Sequence, residues 1–216
     1  MTLDKTFKTE QEAFWAGEFG NEYIGRNQGT QLLASNLALF SRALAKAQKI
    51  RACIEFGANV GMNLRALKLL YPEQNQYAVE INPDAVSQLR RHLPPDQVFA
   101  TSILDFDPST VRKVWDLVLI KGVLIHINPE FLDLVYAKLY EATSRYLMVC
   151  EYYNPTPVSV NYRGHSDRLF KRDFCGEMLD RYPALQLIDY GFGYHRDPSF
   201  PQGDGTWFLM ERNRLP

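Results

Sequence analysis

Apolar residues return at helical spacing at Leu33, Leu37, Phe40 and Leu44, which predicts an amphipathic helix over residues 30–47. Beyond it the period changes. Short apolar runs alternate with helical patterns: strands are expected at 52–56, 76–80 and 97–101, with helices at 62–70 and 83–92 between them. Pro72 stops the first of these helices, and Pro83 opens the second in its first turn. The runs 115–120 and 146–152 are continuously apolar, as expected of strands covered on both faces. Between them Asn128, Pro129 and Glu130 supply an N-cap, a first-turn proline and an acid for a helix reaching residue 142.

The two ends of the chain read differently. Residues 7–20 are aromatic and acidic and predict a helix broken at Gly17 and Gly20. Residues 154–168 hold two prolines, a glycine and many polar groups, too long a stretch for a routine strand-to-helix connection. A helix at 173–181 and strands at 185–190 and 206–211 complete the pattern, and the helix-free link between those strands predicts that they pair antiparallel. The expected architecture is α/β and Rossmann-like: a seven-stranded, mostly parallel sheet with one antiparallel strand and helices on both faces. It is read as a single domain, a helical lid or cap at 1–50 on a core at 51–216, with a substrate-binding insertion at 153–172.

Composition narrows the partners. A chain of 216 residues can bury one full core. With 24 basic and 25 acidic side chains, no global field draws it to nucleic acid or an anionic membrane. No window reaches the roughly 18 apolar residues of a membrane span, and the polar start Met1 to Lys5 is unlike a signal peptide. Cys53, Cys150 and Cys175 are odd in number and lack metal spacing, so reduced thiols, a cytoplasmic location and no metal are expected.

The chemistry concentrates in Ile54-Glu55-Phe56-Gly57-Ala58-Asn59-Val60-Gly61 and the strand Tyr77-Ala78-Val79-Glu80 that follows it. Strand, glycine turn, helix and a second strand ending in an acid form the layout that seats an adenosine-bearing cofactor, with Glu80 toward the ribose hydroxyls. A nicotinamide site asks for Gly-x-Gly-x-x-Gly, but Asn59 and Met62 occupy the second and third glycine positions. Glu55, two residues before Gly57, would repel a pyrophosphate yet suits the ammonium of S-adenosylmethionine. Ser102-Ile103-Leu104-Asp105 follows the third strand, with Asp105 expected to accept from the adenine amino group and Ile103 to pack on the base. Ile81 and Lys121 complete the expected cofactor contacts, and the loop from Lys121 through His126 faces the transferable methyl.

This ordered set resembles the class I S-adenosylmethionine-dependent methyltransferases over residues 51–151. A narrower resemblance, to the methylases associated with pseudaminic acid biosynthesis, covers almost the whole chain. It is carried by Phe14-Trp15-Ala16-Gly17-Glu18-Phe19-Gly20-Asn21-Glu22-Tyr23-Ile24-Gly25-Arg26-Asn27, by Cys150-Glu151-Tyr152-Tyr153-Asn154-Pro155 with Tyr162-Arg163-Gly164-His165, and by Asp204-Gly205-Thr206-Trp207-Phe208. The resemblance implies a methyltransferase in bacterial surface-glycan biosynthesis acting on a hydroxyl or amine of a sugar or nucleotide-sugar. Other small molecules and protein acceptors stay open, as does a homodimer. An oxidoreductase on the same fold is disfavoured by the missing middle glycine, and a non-catalytic cofactor-binding partner by the intact loops at Asp105, His126 and Tyr152.

His126, in the loop after the fourth strand, is the leading base candidate, with bracing of that loop as its competing role. His165, in the polar insertion, stands beside it as base or acceptor ligand. Trp15 and Tyr23 are expected to cover the cofactor while Arg26 and Asn27 reach its methionyl carboxylate, or else these aromatics dock the first helix on the core. Tyr152, Tyr153 and Asn154 are expected to bind the acceptor, with packing as the alternative for the tyrosines. Arg163, with Arg168, Lys171 and Arg172, is a candidate for a carboxylate or phosphate.

Overall fold

The computed structural model describes residues 7–111 and 114–213, with the backbone alone at 165 and 166. The helix predicted from residue 30 runs Thr30–Ala43 (α3) and ends in a turn four residues early. Before it come α1 (Glu10–Ala16) and α2 (Glu18–Arg26). Gly17 breaks the first segment as expected, but Gly20 lies inside α2. A Cβ there would sit 1.9 Å from the Trp15 carbonyl oxygen and 2.8 Å from Asn82 Nδ2, so this glycine serves close packing and does not interrupt the helix.

The alternating elements follow as β1 (Ala52–Phe56), α4 (Met62–Leu70), β2 (Asn75–Glu80), α5 (Pro83–Leu89), β3 (Val98–Ala100), β4 (Trp115–Lys121), α6 (Leu132–Ala142) and β5 (Thr143–Glu151). Asn128 caps a 3-10 turn, Pro129–Phe131, which leads into α6. The long polar stretch is a β-hairpin, β6 (Val158–Tyr162) and β7 (His165–Lys171). α7 (Phe174–Arg181), β8 (Leu185–Phe192) and β9 (Thr206–Arg212) close the chain.

The main sheet has seven strands in the order β3-β2-β1-β4-β5-β9-β8. β9 runs antiparallel to both its neighbours and is the reversed strand; the pairs from β3 through β5 are parallel. Side chains alternate across the pleat. Leu117 and Leu119 join Phe40, Leu67 and Leu89 from α3, α4 and α5 on one face. Val118 and Ile120 join Val135, Leu139 and Met178 from α6 and α7 on the other. Both faces are therefore sealed, which explains the continuous apolar run read in β4.

The buried cysteines Cys53, Cys150 and Cys175 are unpaired, and burial pushes their thiols up, Cys150 to about 11 and Cys175 to about 12. No described helix is long and apolar enough to cross a membrane. Phe56, the last residue of β1, is fully buried and meets Phe106 edge-on at 5.5 Å. Phe56→Ala should cost about 3–5 kcal/mol, read as a lower urea midpoint with an unchanged slope.

Candidate functional site

The strand order reverses direction between β1 and β4, and there the carboxyl ends of the parallel strands part. A cavity occupies this point. Its walls are the loops after β1 (Gly57 to Val60), β2 (Glu80 to Asn82), β3 (Ser102 to Leu104) and β4 (Lys121 to Val123, His126 to Asn128), closed by Trp15, Tyr23 and Asn27 of the N-terminal helices. Gly57 and Gly61 both have positive φ, 75° and 78°. At Gly57 a Cβ would meet Val123 Cγ2 at 2.6 Å, so the loops after β1 and β4 approach as closely as they do only over a glycine.

Three acids lie buried at strand ends. Glu80 accepts from Asn59 N and Asn82 N, each at 2.7 Å, tying the loops after β1 and β2 together. Burial raises its pKa against those bonds. Glu55 is fully buried; Asn63 Nδ2 donates to its Oε1 at 2.6 Å, while its Oε2 has no partner. Burial pushes its carboxyl up to about 8, opposed by Asn63 and by Lys121, which lines the cavity nearby. Glu151 Oε1 accepts from Val123 N and Leu124 N at 2.9 and 3.0 Å, which clamps the loop after β4. Burial moves its carboxyl to about 7, and its Oε2 is also unpartnered.

His126 lines the cavity from that clamped loop and is almost fully buried. Its Nδ1 lies 2.5 Å from the Arg168 carbonyl oxygen on β7. A carbonyl can only accept, so Nδ1 carries the proton and Nε2 is left as the lone-pair nitrogen. Trp15 and Tyr162 pack against the imidazole at 4.7 and 5.1 Å between ring centres. Burial takes its pKa down to about 4, well below the near-neutral value expected of a free base candidate.

The other residues singled out from sequence divide by place. Trp15, Tyr23, Asn27, Gly57, Glu80, Ile81, Ile103 and Lys121 all line the cavity. Arg26 lies outside that lining, its guanidinium over the rings of Phe19 and Tyr23 at 5.6 and 5.9 Å. Gly61 sits behind it at the start of α4. Asp105 departs most from expectation: it pairs with Lys8 at 2.5 Å, half exposed and away from the cavity, because Ser102, Ile103 and Leu104 take the wall at that loop. Tyr152 and Tyr153 line a separate cleft with Lys171, Phe192 and Asp204. Asn154 bonds locally to Thr156, and Arg163 stands exposed on the hairpin turn. His165 belongs to β7, but its side chain lies outside the described residues.

Several residues of the site escaped the sequence reading. Glu12 is buried, receives the Lys8 and Thr9 amides, and bonds Ser102 Oγ. Thr9 and Glu12 form a capping box for α1, a signal visible as Thr-x-x-Glu in the sequence. Asn82 caps α5 with its Oδ1, while its Nδ2 donates to the Trp15 carbonyl at 3.1 Å and to Asn21 Oδ1 at 2.8 Å. The hairpin is stapled to α1 by Gln11 Nε2 to the Asp167 carbonyl at 2.9 Å and by Arg168 to Glu10 at 2.8 Å. Nothing local in the sequence announces these long-range bonds.

No family model matches the chain, and no curated protein does. Solved structures do. The magnesium protoporphyrin IX methyltransferase of Synechocystis PCC 6803, solved with bound SAM, superposes with a TM-score of 0.68 at 10% identity, covering 99% of this chain and 100% of that one. The 1,6-didemethyltoxoflavin-N1-methyltransferase of Burkholderia thailandensis, solved with its didemethyltoxoflavin and S-adenosylhomocysteine, gives 0.70 at 13%, covering 98% and 94%. The chain has the Rossmann-like methyltransferase fold. At such identity the likeness speaks for the fold, and the narrower pseudaminic acid resemblance gains nothing from it.

With its folded pKa below the unfolded one, His126 contributes stability that is present above pH 6.5 and is lost as the pH falls toward 4. Its imidazole should remain the neutral Nδ1–H tautomer from pH 7 down to 5 in nitrogen-detected NMR. A titration centred near 6.5 would contradict the buried hydrogen bond.

Proposed function

We propose that this protein is an S-adenosylmethionine-dependent methyltransferase acting on a hydroxyl or amine of a small polar acceptor. The observation that carries the reading is Glu80 on the wall of the switch-point cavity, with Glu55 fully buried behind that wall, outside the lining itself but bonded to Asn63, which lines it. Glu80 ends β2 where ribose hydroxyls would lie, and Glu55 keeps an unpartnered Oε2 under the glycine turn. An orphaned buried carboxylate oxygen is costly unless a ligand completes it. An ammonium completes it and a pyrophosphate does not, so the donor set fits adenosylmethionine better than a dinucleotide.

When bound, that cofactor supplies a methyl group on a sulfonium, which leaves as a neutral sulfide without help from a metal. The residues of the chain hold and exclude. Glu80 has a second lone pair on each oxygen for the ribose, beyond those used by Asn59 and Asn82. Ile81 and Ile103 offer apolar walls to the base, and Trp15 and Tyr23 keep water from the transfer site. Alignment of nucleophile, methyl and sulfur is where most of the acceleration arises, up to about 7–11 kcal/mol for near-attack geometry. His126 contributes through Nε2, accepting a hydrogen bond from the acceptor and turning its lone pair toward the methyl. A nitrogen with so low a pKa orients better than it abstracts, so the acceptor's proton leaves to solvent once the new bond to the methyl carbon has formed and the atom that carries it has become positively charged.

The neighbours are named for magnesium protoporphyrin IX and 1,6-didemethyltoxoflavin, both small molecules, which supports an acceptor of that class. The sugar or nucleotide-sugar of a surface-glycan pathway is the finer reading. It rests on the motifs around Trp15, Tyr152 and Asp204 and on a cleft of tyrosines beside Lys171 and Asp204. Asn154 follows Tyr153 beside that cleft, whereas Arg163 stands on the hairpin turn at the opposite end from Lys171.

Glu80→Ala should raise the cofactor dissociation constant by at least about tenfold, or ~1.4 kcal/mol, in a calorimetric titration; an unchanged constant removes the assignment. Glu55 is protonated near pH 7 in the free protein, and an ammonium favours its ionised form. Cofactor binding at pH 7 should therefore release a proton, seen as a buffer-dependent binding enthalpy that disappears in Glu55→Gln.

A further inference from the structure

The hairpin carries four cations in two distinct conditions. Arg168 and Arg172 are paired, with Glu10 at 2.8 Å and Glu177 at 2.7 Å. Arg163, on the exposed turn at φ 51°, has no ion pair among the described residues, and its guanidinium lies 5.9 Å from the centre of the Tyr162 ring. Lys171 likewise has no ion pair among the described residues and lies over Tyr152 at the far end of the strand.

Arg26, at the last position of α2, is the other guanidinium whose charge acts on Tyr162. Its approach to a carboxylate is 4.0 Å to Glu22, too long for a hydrogen-bonded pair. Its guanidinium covers Phe19 and Tyr23, and the Phe19 ring is 5.9 Å from Tyr162. Arg163 thus lies over the Tyr162 ring, Arg26 acts on the same phenol at longer range across Phe19, and the phenol's ring packs on His126 of the cavity wall. Burial raises the Tyr162 pKa, so its hydroxyl stays protonated and able to donate. The carboxylates of the site, Glu55 and Glu80, lie at the strand ends and not at this mouth.

Resting on the methyltransferase reading, we propose that the acceptor carries an anionic group, a carboxylate or a phosphate, held between Arg26 and Arg163 beside Tyr162 at the mouth of the cavity. A planar guanidinium binds either group through paired N–H donors. Two cations acting on one phenol, neither with a hydrogen-bonded carboxylate among the described residues, favour an anion there, and it fixes the end of the acceptor remote from the methylated atom. Arg26 then acts on the acceptor and not on the cofactor's carboxylate, in keeping with its place outside the cavity lining.

The test is calorimetric titration of the S-adenosylhomocysteine-loaded protein with sodium phosphate and with sodium acetate at constant ionic strength. Saturable binding of at least one anion is expected, and the tighter arm tells a phosphorylated acceptor from a carboxylic acid. Arg163→Ala and Arg26→Ala should each weaken it by about tenfold or more, with homocysteine-product affinity unchanged. Arg42→Ala removes the same charge from an exposed position on α3, outside the hairpin and the cavity, and should leave anion binding intact. The idea is overturned if neither anion saturates, if Arg42→Ala loses as much as Arg163→Ala, or if Arg26→Ala loses product affinity while keeping the anion. Failure of S-adenosylhomocysteine to bind the unmutated protein strikes the cofactor reading instead, and the anion titration of the free protein still decides the arginine site.

Discussion

Buried carboxylates at the carboxyl ends of the strands hold the loops from which the cavity is made. A carboxylate removed from water must be hydrogen-bonded or it becomes too costly to keep. Here the available donors are the amides of neighbouring loops. Glu80 gathers Asn59 and Asn82, Glu151 gathers Val123 and Leu124, and Glu55 gathers Asn63. Each acid therefore fixes a loop that its own strand does not lead into, or a helix side chain across the turn. The sheet supplies rigid positions, and the acids convert them into a shaped site.

On that frame the histidine loop gains a second anchor. Glu151 holds its backbone from below, and the Arg168 carbonyl holds the imidazole from the hairpin side. The N-terminal helices close the same space, since Trp15 packs on His126 while its carbonyl accepts from Asn82. Covering the cavity and docking the helix were alternative roles for these aromatics in the sequence. In the fold one ring does both, because the cavity wall is also the docking surface.

Much of this was legible from pattern. Met62–Leu70 and Ala52–Phe56 were read to the residue, since a glycine turn and a proline bound them sharply. The reversed last strand followed from the helix-free link before it. The errors were of a different kind. Gly20 was taken for a breaker because composition alone cannot distinguish a flexible glycine from one needed for contact with Trp15. Asp105, expected near the adenine from its offset after β3, lies outside the cavity lining, where Ser102 to Leu104 hold the wall; a one-residue change in a turn decides which side chains face in.

Local sequence by itself determined the order of strands and helices from α3 to β5 and from α7 to β9, but not the hairpin β6–β7 or the separate helix α2; it also determined the two-faced burial of β4 and the presence of Glu55 and Glu80 at strand ends. Those depend on periodicity and on residues adjacent in the chain. Tertiary structure decided the rest: that His126 is neutral and tethered to a hairpin 42 residues on, that Glu55 is left with an open oxygen, and that Arg163 lies over Tyr162 while Arg26 covers Phe19 beside it. Protonation and pairing depend on the dielectric and on partners brought from distant segments, and neither exists until the chain has folded.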